Sequence, residues 1–383
     1  MSNVLLVDTN FSSGPIYQFL REAGHNVAVI GGNPRDALAK SVENYINLDY
    51  SDIEKTKQVI ADRNIDYLVP GCNDRSYLIC AEINSNGRFP GIDSLTAAEI
   101  INNKDKFRAF ADEQGLPTPK VLTEDEIGTR WPVIVKPVDA FSGRGVTIVH
   151  EDNKDEMTKA LVSARQASRT GVCIVEDYIE GQLYSHSAFL QSGKIVDDYI
   201  VEEHGTVNPF VVDTSRVLYD FSESMLASIR SNIHLLASRL NLQDGLVHTQ
   251  FISDGRNYWL IEITRRCPGD LYSQLIEFST GFAYAENYAR PFICMPFKAQ
   301  QNKVRHWVMR HTLTQSIEYT LGSIMFNFPL RIIKWVPISQ TGDWLPPSPY
   351  GRIGVLFVSE PTEHALISTF SKTLKRHLYS VSQ

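Results

Sequence analysis

The sequence of 383 residues lacks the features that mark membrane, secreted and nucleic-acid-binding proteins. Its apolar runs fall short of the roughly 18 residues that a transmembrane helix needs. The N-terminus enters a strand-like apolar run at residues 4–7 with no basic region and no small-residue cleavage site, so no signal peptide is expected. Acidic residues outnumber basic ones by 44 to 37, and the net charge of −7 argues against a nucleic-acid partner and a polybasic membrane-binding surface.

Cysteine is scarce, and its spacing suggests no metal site. The five cysteines are odd in number and show no CxxC spacing, which indicates reduced thiols and predicts a cytoplasmic protein. The ten histidines show no HxxxH or HxH zinc spacing, and no Ser-His-Asp or Cys-His nucleophile pattern is evident. The turn at Gly14 lacks the full GxGxxG spacing, so a dinucleotide-binding fingerprint is not supported.

Strand and helix patterns alternate over the first 95 residues. Short apolar runs at residues 4–7, 27–30 and 67–70 are separated by amphipathic stretches. This rhythm predicts a parallel sheet with helices on its faces. A helix predicted at 104–114 begins a second region that is rich in strands. The sequence therefore predicts an α/β protein, for which we expect three domains, at residues 1–95, 96–290 and 291–383.

Lys136 ends a strand-like apolar segment and is followed closely by a glycine-rich loop. A lysine in this position is either an edge residue that extends its charge to solvent or a fixed positive charge aimed into a cleft. The loop Ser142-Gly143-Arg144-Gly145 lets backbone amides approach phosphate oxygens, but it is also compatible with a simple hairpin.

A second candidate segment places a carboxylate inside an apolar strand. Glu262 lies between Ile261 and Ile263 and is followed closely by Arg266. An outward-facing glutamate on an amphipathic strand explains Glu262 alone. It does not explain the adjoining Arg266 or the turn after it.

Taken in order, these pieces resemble the ATP-grasp superfamily over roughly residues 1–290. The shared order is a Rossmann-like domain, a helix that begins with a lysine, a strand-Lys-Pro segment with a glycine-rich loop, a Glu-x-Tyr-Ile hinge and a strand ending in Glu-x-Thr-x-Arg. The resemblance implies an N-terminal Rossmann-like (pre-ATP-grasp) domain and a two-lobed ATP-grasp domain in which residues 133–178 form a mobile lid. It also implies a small C-terminal α+β lobe.

The resemblance also implies roles for individual residues, with ATP and Mg²⁺ as cofactors. Lys104 and Lys136 would bind phosphates, and Arg266 would face the transferred phosphoryl group and the acyl oxygen, because phosphoryl transfer depends on positioning and neutralising oxygen charge. Glu262 would hold Mg²⁺. The remaining nucleotide-binding candidates are in the glycine-rich loop, Ser142, Gly143 and Gly145, and in the adenine-binding hinge, Glu176, Asp177, Tyr178 and Ile179.

The sequence departs from the superfamily pattern at three positions. Leu183 occupies the position of the usual ribose-binding glutamate. Gln250 occupies the position of a metal-binding carboxylate, although an amide oxygen can still ligate Mg²⁺. Thr264 replaces an asparagine ligand with a hydroxyl. With a two-residue hairpin loop, Gln250 and Glu262 would lie on opposite faces, so a shared metal site requires an odd loop or a β-bulge.

Substrate contacts are expected from two further places. Asn73 and Asp74 follow a predicted strand of the parallel sheet, where open α/β sheets place ligands, although an Asn-Asp pair also forms turns. Arg265 is a candidate for binding a substrate carboxylate or, alternatively, for a surface ion pair.

These observations predict an ATP-dependent carboxylate–amine ligase. It would activate a small-molecule carboxylate as an acyl phosphate and join it to an amine, releasing ADP and phosphate. Many members of the superfamily form dimers, so the resemblance also suggests a homodimer. Two alternatives stay open: an ATP-binding protein of the same fold without ligase activity, and a ligase with an acceptor other than an amine.

Overall fold

The computed structural model describes residues 1–123, 125–140, 143–151, 153–300 and 304–382. Its N-terminal part is a four-stranded parallel sheet in the order β3-β2-β1-β4, which confirms the predicted βαβ arrangement. The helix predicted at 104–114 is present with the same bounds. The elements of this part are β1 (Asn3–Val7), α1 (Gly14–Glu22), β2 (Asn26–Gly31), α2 (Ala37–Ser41), β3 (Tyr45–Asn47), α3 (Ile53–Asp62), β4 (Tyr67–Pro70), α4 (Asp74–Ile83), α5 (Leu95–Asn102) and α6 (Lys104–Gln114).

The carboxyl ends of β1 and β4 lie side by side, because these two strands are neighbours in the parallel sheet. The loop after β1 is held there by Asp8, whose carboxylate accepts hydrogen bonds from the Ser13 hydroxyl at 2.7 Å and the Cys72 amide at 3.0 Å. The loops that follow β1 and β4 are therefore joined at this edge of the sheet, and α4 begins in the loop after β4.

A small antiparallel sheet in the order β6-β5-β7 follows, covered by one helix. Alternate residues of its middle strand, such as Val133 and Val135, pack with Met157 and Ala160 of the helix in a separate apolar core. This unit occupies the predicted lid lobe. Its elements are β5 (Val133–Pro137), β6 (Thr147–Val149), α7 (Lys154–Ala167) and β7 (Cys173–Asp177).

A long antiparallel sheet forms the centre of the molecule, in the order β12-β11-β8-β9-β10-β13-β18-β16. One face packs on a helix whose buried residues, Ile229, Ile233 and Leu236, recur at helical spacing. The elements are β8 (Gln182–Gln191), β9 (Lys194–His204), β10 (Thr214–Leu218), α8 (Glu223–Arg239), β11 (Gly245–Ser253), β12 (Tyr258–Thr264), α9 (Tyr272–Thr280) and α10 (Tyr284–Ala289).

The C-terminal strands extend this same sheet, because β13 pairs with β10 and is followed by β18 and β16. The predicted C-terminal lobe thus shares its main sheet with the preceding region, and the boundaries at 95 and 290 stay predictions. Its elements are β13 (Trp307–Leu313), β14 (Tyr319–Thr320), β15 (Ser323–Phe326), β16 (Ile332–Pro337), β17 (Trp344–Leu345), β18 (Gly354–Glu360), α11 (Glu363–Leu374) and β19 (Tyr379–Ser382).

The hairpin between β11 and β12 contains a β-bulge. Its loop has four residues between Ser253 and Tyr258, which corrects the predicted two-residue loop. Phe251 pairs with Leu260, but the next pair is Gln250 with Glu262, so one residue of β12 is extra. The bulge places Gln250 and Glu262 opposite each other, the arrangement that a shared metal site requires. Among the described residues, no helix is long and apolar enough to cross a membrane.

Candidate active site

A cleft of about 1360 Å³ lies between the edge of the parallel sheet, the lid lobe and one face of the central sheet. Most of the predicted site residues line it, although they come from positions almost 200 residues apart. The members are Asn73, Asp74, Lys104, Lys136, Gly143, Glu176, Asp177, Tyr178, Ile179, Gln250, Glu262, Thr264 and Arg266. Ser142 lies outside the described residues, and Gly145 and Arg265 do not line the cleft.

Lys136 and Glu176 form a buried ion pair with Arg108 as the third member. The Arg108 Nε donates to one Glu176 carboxylate oxygen at 2.8 Å, and the Lys136 ammonium contacts the other. Burial alone would raise the pKa of Glu176, but the two cations outweigh it and lower that pKa. Burial lowers the pKa of Lys136 to about 8, although the negative charge of Glu176 acts to raise it. The Glu176 carboxylate thus pairs with Arg108 and Lys136, whereas the resemblance predicted that it contacts adenine.

Arg108 was not recognised in the sequence, although it lies four residues after Lys104 on α6 and so on the same helical face. Its Nη2 also donates to the Ile261 carbonyl at 2.9 Å. Ile261 is the residue skipped by the pairing of β12 with β11, between Leu260 and Glu262. One buried guanidinium therefore connects the hinge strand to the bulge that places Glu262.

The hinge after β7 leaves a backbone donor available in the cleft. Asp177 forms an ion pair with Arg130 at 2.9 Å, and the Tyr178 amide donates to the Pro132 carbonyl at 3.2 Å. The Ile179 amide has no acceptor among the described residues, and Ile179 lines the cleft. The hinge backbone, rather than the Asp177 side chain, is thus the part free to bind a ligand edge.

Both glycines of the lid loop have left-handed backbone conformations and close neighbours. A Cβ on Gly143, at φ +66°, would lie 2.7 Å from the Phe210 Cβ, and one on Gly145, at φ +69°, would lie 2.6 Å from the Ala167 Cβ. Glycine is needed at both positions for conformation and for close packing. Gly143 contacts the loop that carries Phe210, and Gly145 packs on the C-terminal end of α7.

Glu262 and Gln250 supply the donors at the predicted metal position. The Glu262 carboxylate is about one-third exposed (34 %) and lies 3.9 Å from the Lys104 ammonium, which donates to the Ala140 carbonyl at 3.2 Å. Among the described residues, no group of three or more His, Cys, Asp or Glu side chains forms a metal cluster. One carboxylate and one amide oxygen nevertheless fit a Mg²⁺ ion that takes its other ligands from phosphates and water.

Arg266 is held in the cleft by Asp74. The Nε and Nη2 of Arg266 donate to the two Asp74 oxygens at 2.9 and 3.1 Å, and the Thr264 hydroxyl donates to Asp74 at 2.8 Å. Burial alone would raise the pKa of Asp74, but the Arg266 charge lowers it. Asp74 therefore orients Arg266, and its predicted contact with substrate stays a prediction. The Thr264 oxygen also accepts from the Arg266 amide at 3.3 Å, and its predicted metal contact stays a prediction.

Two other predicted substrate contacts have structural partners. Asn73 caps the N-terminus of α4 by accepting from the Ser76 amide at 2.9 Å, whereas the alternative interpretation was a turn. Arg265 is buried outside the cleft, where its Nε donates to Asp93 at 2.7 Å and its Nη1 to the Leu246 carbonyl at 2.6 Å. The prediction that Arg265 binds a substrate carboxylate is wrong, because alternation along the strand turns it away from the face that carries Thr264 and Arg266.

Two arginines from the C-terminal strands and their loops also line the cleft, and sequence reasoning missed both. Arg310 donates to the Asp270 carbonyl and the Ser215 hydroxyl, each at 2.9 Å, while its buried Nε has no partner among the described residues. Arg352 pairs with the Asp270 carboxylate at 2.5 Å. The signal for Arg310 was available, since it is a charged residue inside an apolar strand, as Lys136 is.

A buried acid, Glu203 on β9, is another cleft residue that the sequence did not reveal. Its carboxylate accepts from the Gln250 amide at 2.7 Å and the Ser185 hydroxyl at 3.0 Å. Burial raises the pKa of Glu203, while these hydrogen bonds and the nearby Arg310 oppose the shift.

Comparison with known proteins finds a matching family model, related sequences and structures of the same fold. A family model described as "ATP-grasp domain" matches residues 129–274. The chain is 33% identical over 122 residues to a D-alanine–D-alanine ligase of Fusobacterium nucleatum, covering 32% of this chain and 40% of that protein. It spans between about a fifth and two fifths of the length of the curated relatives that it matches.

Two solved structures share the fold over the whole chain. An L-amino acid ligase of Bacillus licheniformis superimposes with a TM-score of 0.79 at 18% identity, over 100% of this chain and 98% of that one. A phosphoribosylglycinamide synthetase of Anaerococcus prevotii does so with a TM-score of 0.77 at 17% identity, over 100% and 99% of the two chains. At these identities the likeness shows the fold alone.

Proposed function

This chain carries an ATP-grasp domain, and on that premise we propose that it is an ATP-dependent carboxylate–amine ligase. The observation that carries the proposal is the convergence of Lys104, Lys136, Glu262 and Arg266 on one cleft. Three cationic side chains and one carboxylate that line the same cleft are suited to binding a nucleoside triphosphate whose terminal phosphate is transferred.

In the proposed nucleotide site, Lys104 and Lys136 bind phosphate oxygens from two sides. The Ile179 amide, which has no acceptor among the described residues, donates to the adenine edge. Glu262 and Gln250 would hold Mg²⁺, which would supply positive charge to the phosphate oxygens. Gly143 lets the lid loop approach the phosphates closely, and the lobe of residues 133–178 excludes water from the reactive intermediate.

The proposed reaction has two steps. A substrate carboxylate oxygen attacks the γ-phosphorus, giving an acyl phosphate and ADP. An amine then attacks the acyl carbon, loses a proton and expels inorganic phosphate, so that an amide forms. Arg266 stabilises the developing oxyanion through its Nη1 side, which faces away from Asp74 and has only a 3.4 Å contact with the Cys267 carbonyl. No covalent enzyme nucleophile is required, in agreement with the high pKa that burial gives Cys267.

Arg310 and Arg352 support a carboxylate as one substrate. Both lie in the cleft, and they share a single carboxylate, Asp270, which is 3.9 Å from the Arg310 Nη1. An anionic substrate would complete the pairing of these side chains. The amine, the homodimer and the cytoplasmic location remain predictions, although the comparisons include small-molecule ligases, and all five cysteines are free thiols.

Hydroxylamine trapping tests the ligase proposal without knowledge of the amine. The protein is incubated with MgATP, hydroxylamine and one member of a panel of carboxylates, and acyl hydroxamate and ADP are measured together. We expect both with one class of acid, none with Lys136→Ala or Glu262→Ala, and normal yield with Arg130→Ala, which removes an exposed ion pair. MgATP binding without hydroxamate from any acid would favour the ATP-binding protein without ligase activity. Absence of MgATP binding would overturn the proposal.

A further inference from the structure

The side chains of Glu203 and Gln250 meet over an intervening strand. Glu203 is on β9 and Gln250 on β11, and β8 runs between them. The residue of β8 beneath the contact is Ser185, which pairs with Gln250 and lies two residues from Leu183, the partner of Glu203. Because Ser185 is small, the longer side chains can reach each other at 2.7 Å, and its hydroxyl supports the same carboxylate.

The contact is specific to one face of the sheet. The adjacent Glu202 points to the opposite face, where it pairs with Arg216 at 2.6 Å and with His204 at 2.8 Å. Glu203 is 3% exposed, so it cannot easily contact a ligand itself. Its effect on the cleft must pass through Gln250, whose side chain is less buried.

The hydrogen bond fixes which end of the Gln250 amide faces the cleft. Both Glu203 oxygens accept hydrogen bonds, one from the Ser185 hydroxyl and the other from the Gln250 amide nitrogen, as an ionised carboxylate requires. The amide oxygen is then directed away from Glu203 and accepts no hydrogen bond from the described residues. Gln250 is paired with Glu262 across the bulge, so this oxygen lies on the side of the cleft where the cation is proposed.

We propose that Glu203 is a positioning residue that turns the Gln250 amide oxygen toward the cation held by Glu262. The inference rests on the proposed function, since it concerns the same nucleotide-bound cation. In this arrangement the neutral Gln250 oxygen contacts the cation. The Glu203 carboxylate, the second negative charge, contacts Gln250 and not the cation. It also explains why residue 250 is an amide, because a glutamate there would place two carboxylates at hydrogen-bond distance.

The test is the affinity of Mn²⁺, the spectroscopic substitute for Mg²⁺, for the full-length protein with ADP, measured by electron paramagnetic resonance. In E203Q the buried side chain can donate or accept, so the Gln250 oxygen is no longer held. We expect Mn²⁺ affinity to fall about tenfold, with ADP affinity in the absence of divalent cations unchanged. The matched control is E202Q, which alters the adjacent carboxylate on the opposite face and should leave Mn²⁺ affinity unchanged.

Exchanging the two side chains distinguishes positioning from a general structural role. The double variant E203Q/Q250E restores one carboxylate and one amide, and we expect Mn²⁺ affinity equal to or above that of the wild type. Q250E alone should bind Mn²⁺ more weakly than the double variant, despite carrying one more carboxylate, because the two acids repel each other. This comparison does not depend on the folding of E203Q alone.

The outcomes separate this inference from the proposed function. Equal Mn²⁺ affinity in wild type, E202Q and E203Q would overturn the role of Glu203 while leaving the nucleotide site intact. A double variant no better than Q250E would do the same. Failure of the wild type to bind ADP with Mn²⁺ would overturn both the nucleotide site and the inference.

Discussion

Asp74 and Arg266 form a two-point ion pair that joins the edge of the parallel sheet to the end of β12, at 2.9 and 3.1 Å. Asp74 is the first residue of α4, and the Asn73 cap fixes where that helix begins. The guanidinium is therefore oriented before any ligand arrives. A preorganised charge of this kind stabilises a transition state without reorganisation during the reaction.

Replacement of Arg266 by lysine tests this orientation. Lysine keeps the charge but cannot form the planar two-point contact with Asp74. We expect turnover to fall about a hundredfold or more, because an oriented donor contributes about that much to the rate. Affinity for ADP should stay close to that of the wild type. The measurement is hydroxamate formation together with ADP binding, and wild-type turnover in Arg266→Lys would show that the assignment of Arg266 is wrong.

Replacement of Arg108 by methionine should reduce stability strongly. The change leaves the buried Glu176 with one cation and removes the donor to the Ile261 carbonyl. Breaking a buried ion pair costs about 3–5 kcal/mol of unfolding free energy. The matched control is Arg130→Met, which removes an exposed pair with Asp177 and should cost less than about 1 kcal/mol. Urea unfolding of both variants measures the difference, and equal losses would contradict the structural role of Arg108.

Nucleotide affinity should depend on pH through Lys136. Burial lowers the pKa of this lysine to about 8 in the free protein, whereas phosphate oxygens favour its charged form. Binding above pH 8 therefore takes up a proton, and ADP affinity should fall up to about tenfold for each pH unit above that value. Below pH 8 the lysine is already charged, and its contribution should be constant.

The control for this pH dependence is Lys136→Arg. A guanidinium stays charged across the same range, so the variant should lose the decline in affinity above pH 8 even if it binds ADP more weakly. Calorimetric titration in the two proteins measures the effect. An identical pH profile in wild type and Lys136→Arg would assign the titration to another group.

Gly143→Ala should weaken MgATP binding through the lid loop. The new Cβ would lie 2.7 Å from the Phe210 Cβ, at a backbone φ of +66° that alanine adopts poorly. Gly171→Ala is the control, since Gly171 has φ +73° but no atom within 4 Å of a Cβ. We expect Gly143→Ala to lose more MgATP affinity than the control and Phe210→Gly, which removes the Cβ that is contacted, to recover part of that loss in the double variant. Equal effects of the two alanine variants would exclude a role for the Phe210 contact.

Local patterns predicted the elements that carry the site. The lysine at the start of α6, the strand that ends in Lys136 and the apolar strand that carries Glu262 are all readable from spacing and hydrophobicity. These signals are short in range, so they locate a side chain on its element. Its partners depend on how distant elements meet.

The long-range contacts could not be predicted for the same reason. Nothing near Asp74 in the sequence indicates that its carboxylate pairs with Arg266, and nothing near Arg265 indicates that it pairs with Asp93. The bulge at Ile261 is stabilised by Arg108, which lies 153 residues away. The proximity of Glu203 and Gln250 depends on the order of three strands, which no local pattern specifies.

The most direct test of the central claim uses a substrate acid identified by hydroxamate trapping, labelled with ¹⁸O in its carboxylate. The protein is supplied with this acid, MgATP and an amine acceptor, and the released phosphate is analysed by mass spectrometry. If the carboxylate attacks the γ-phosphorus, one ¹⁸O atom appears in the inorganic phosphate. Unlabelled phosphate accompanied by amide product would contradict the acyl phosphate and the roles assigned to the cleft.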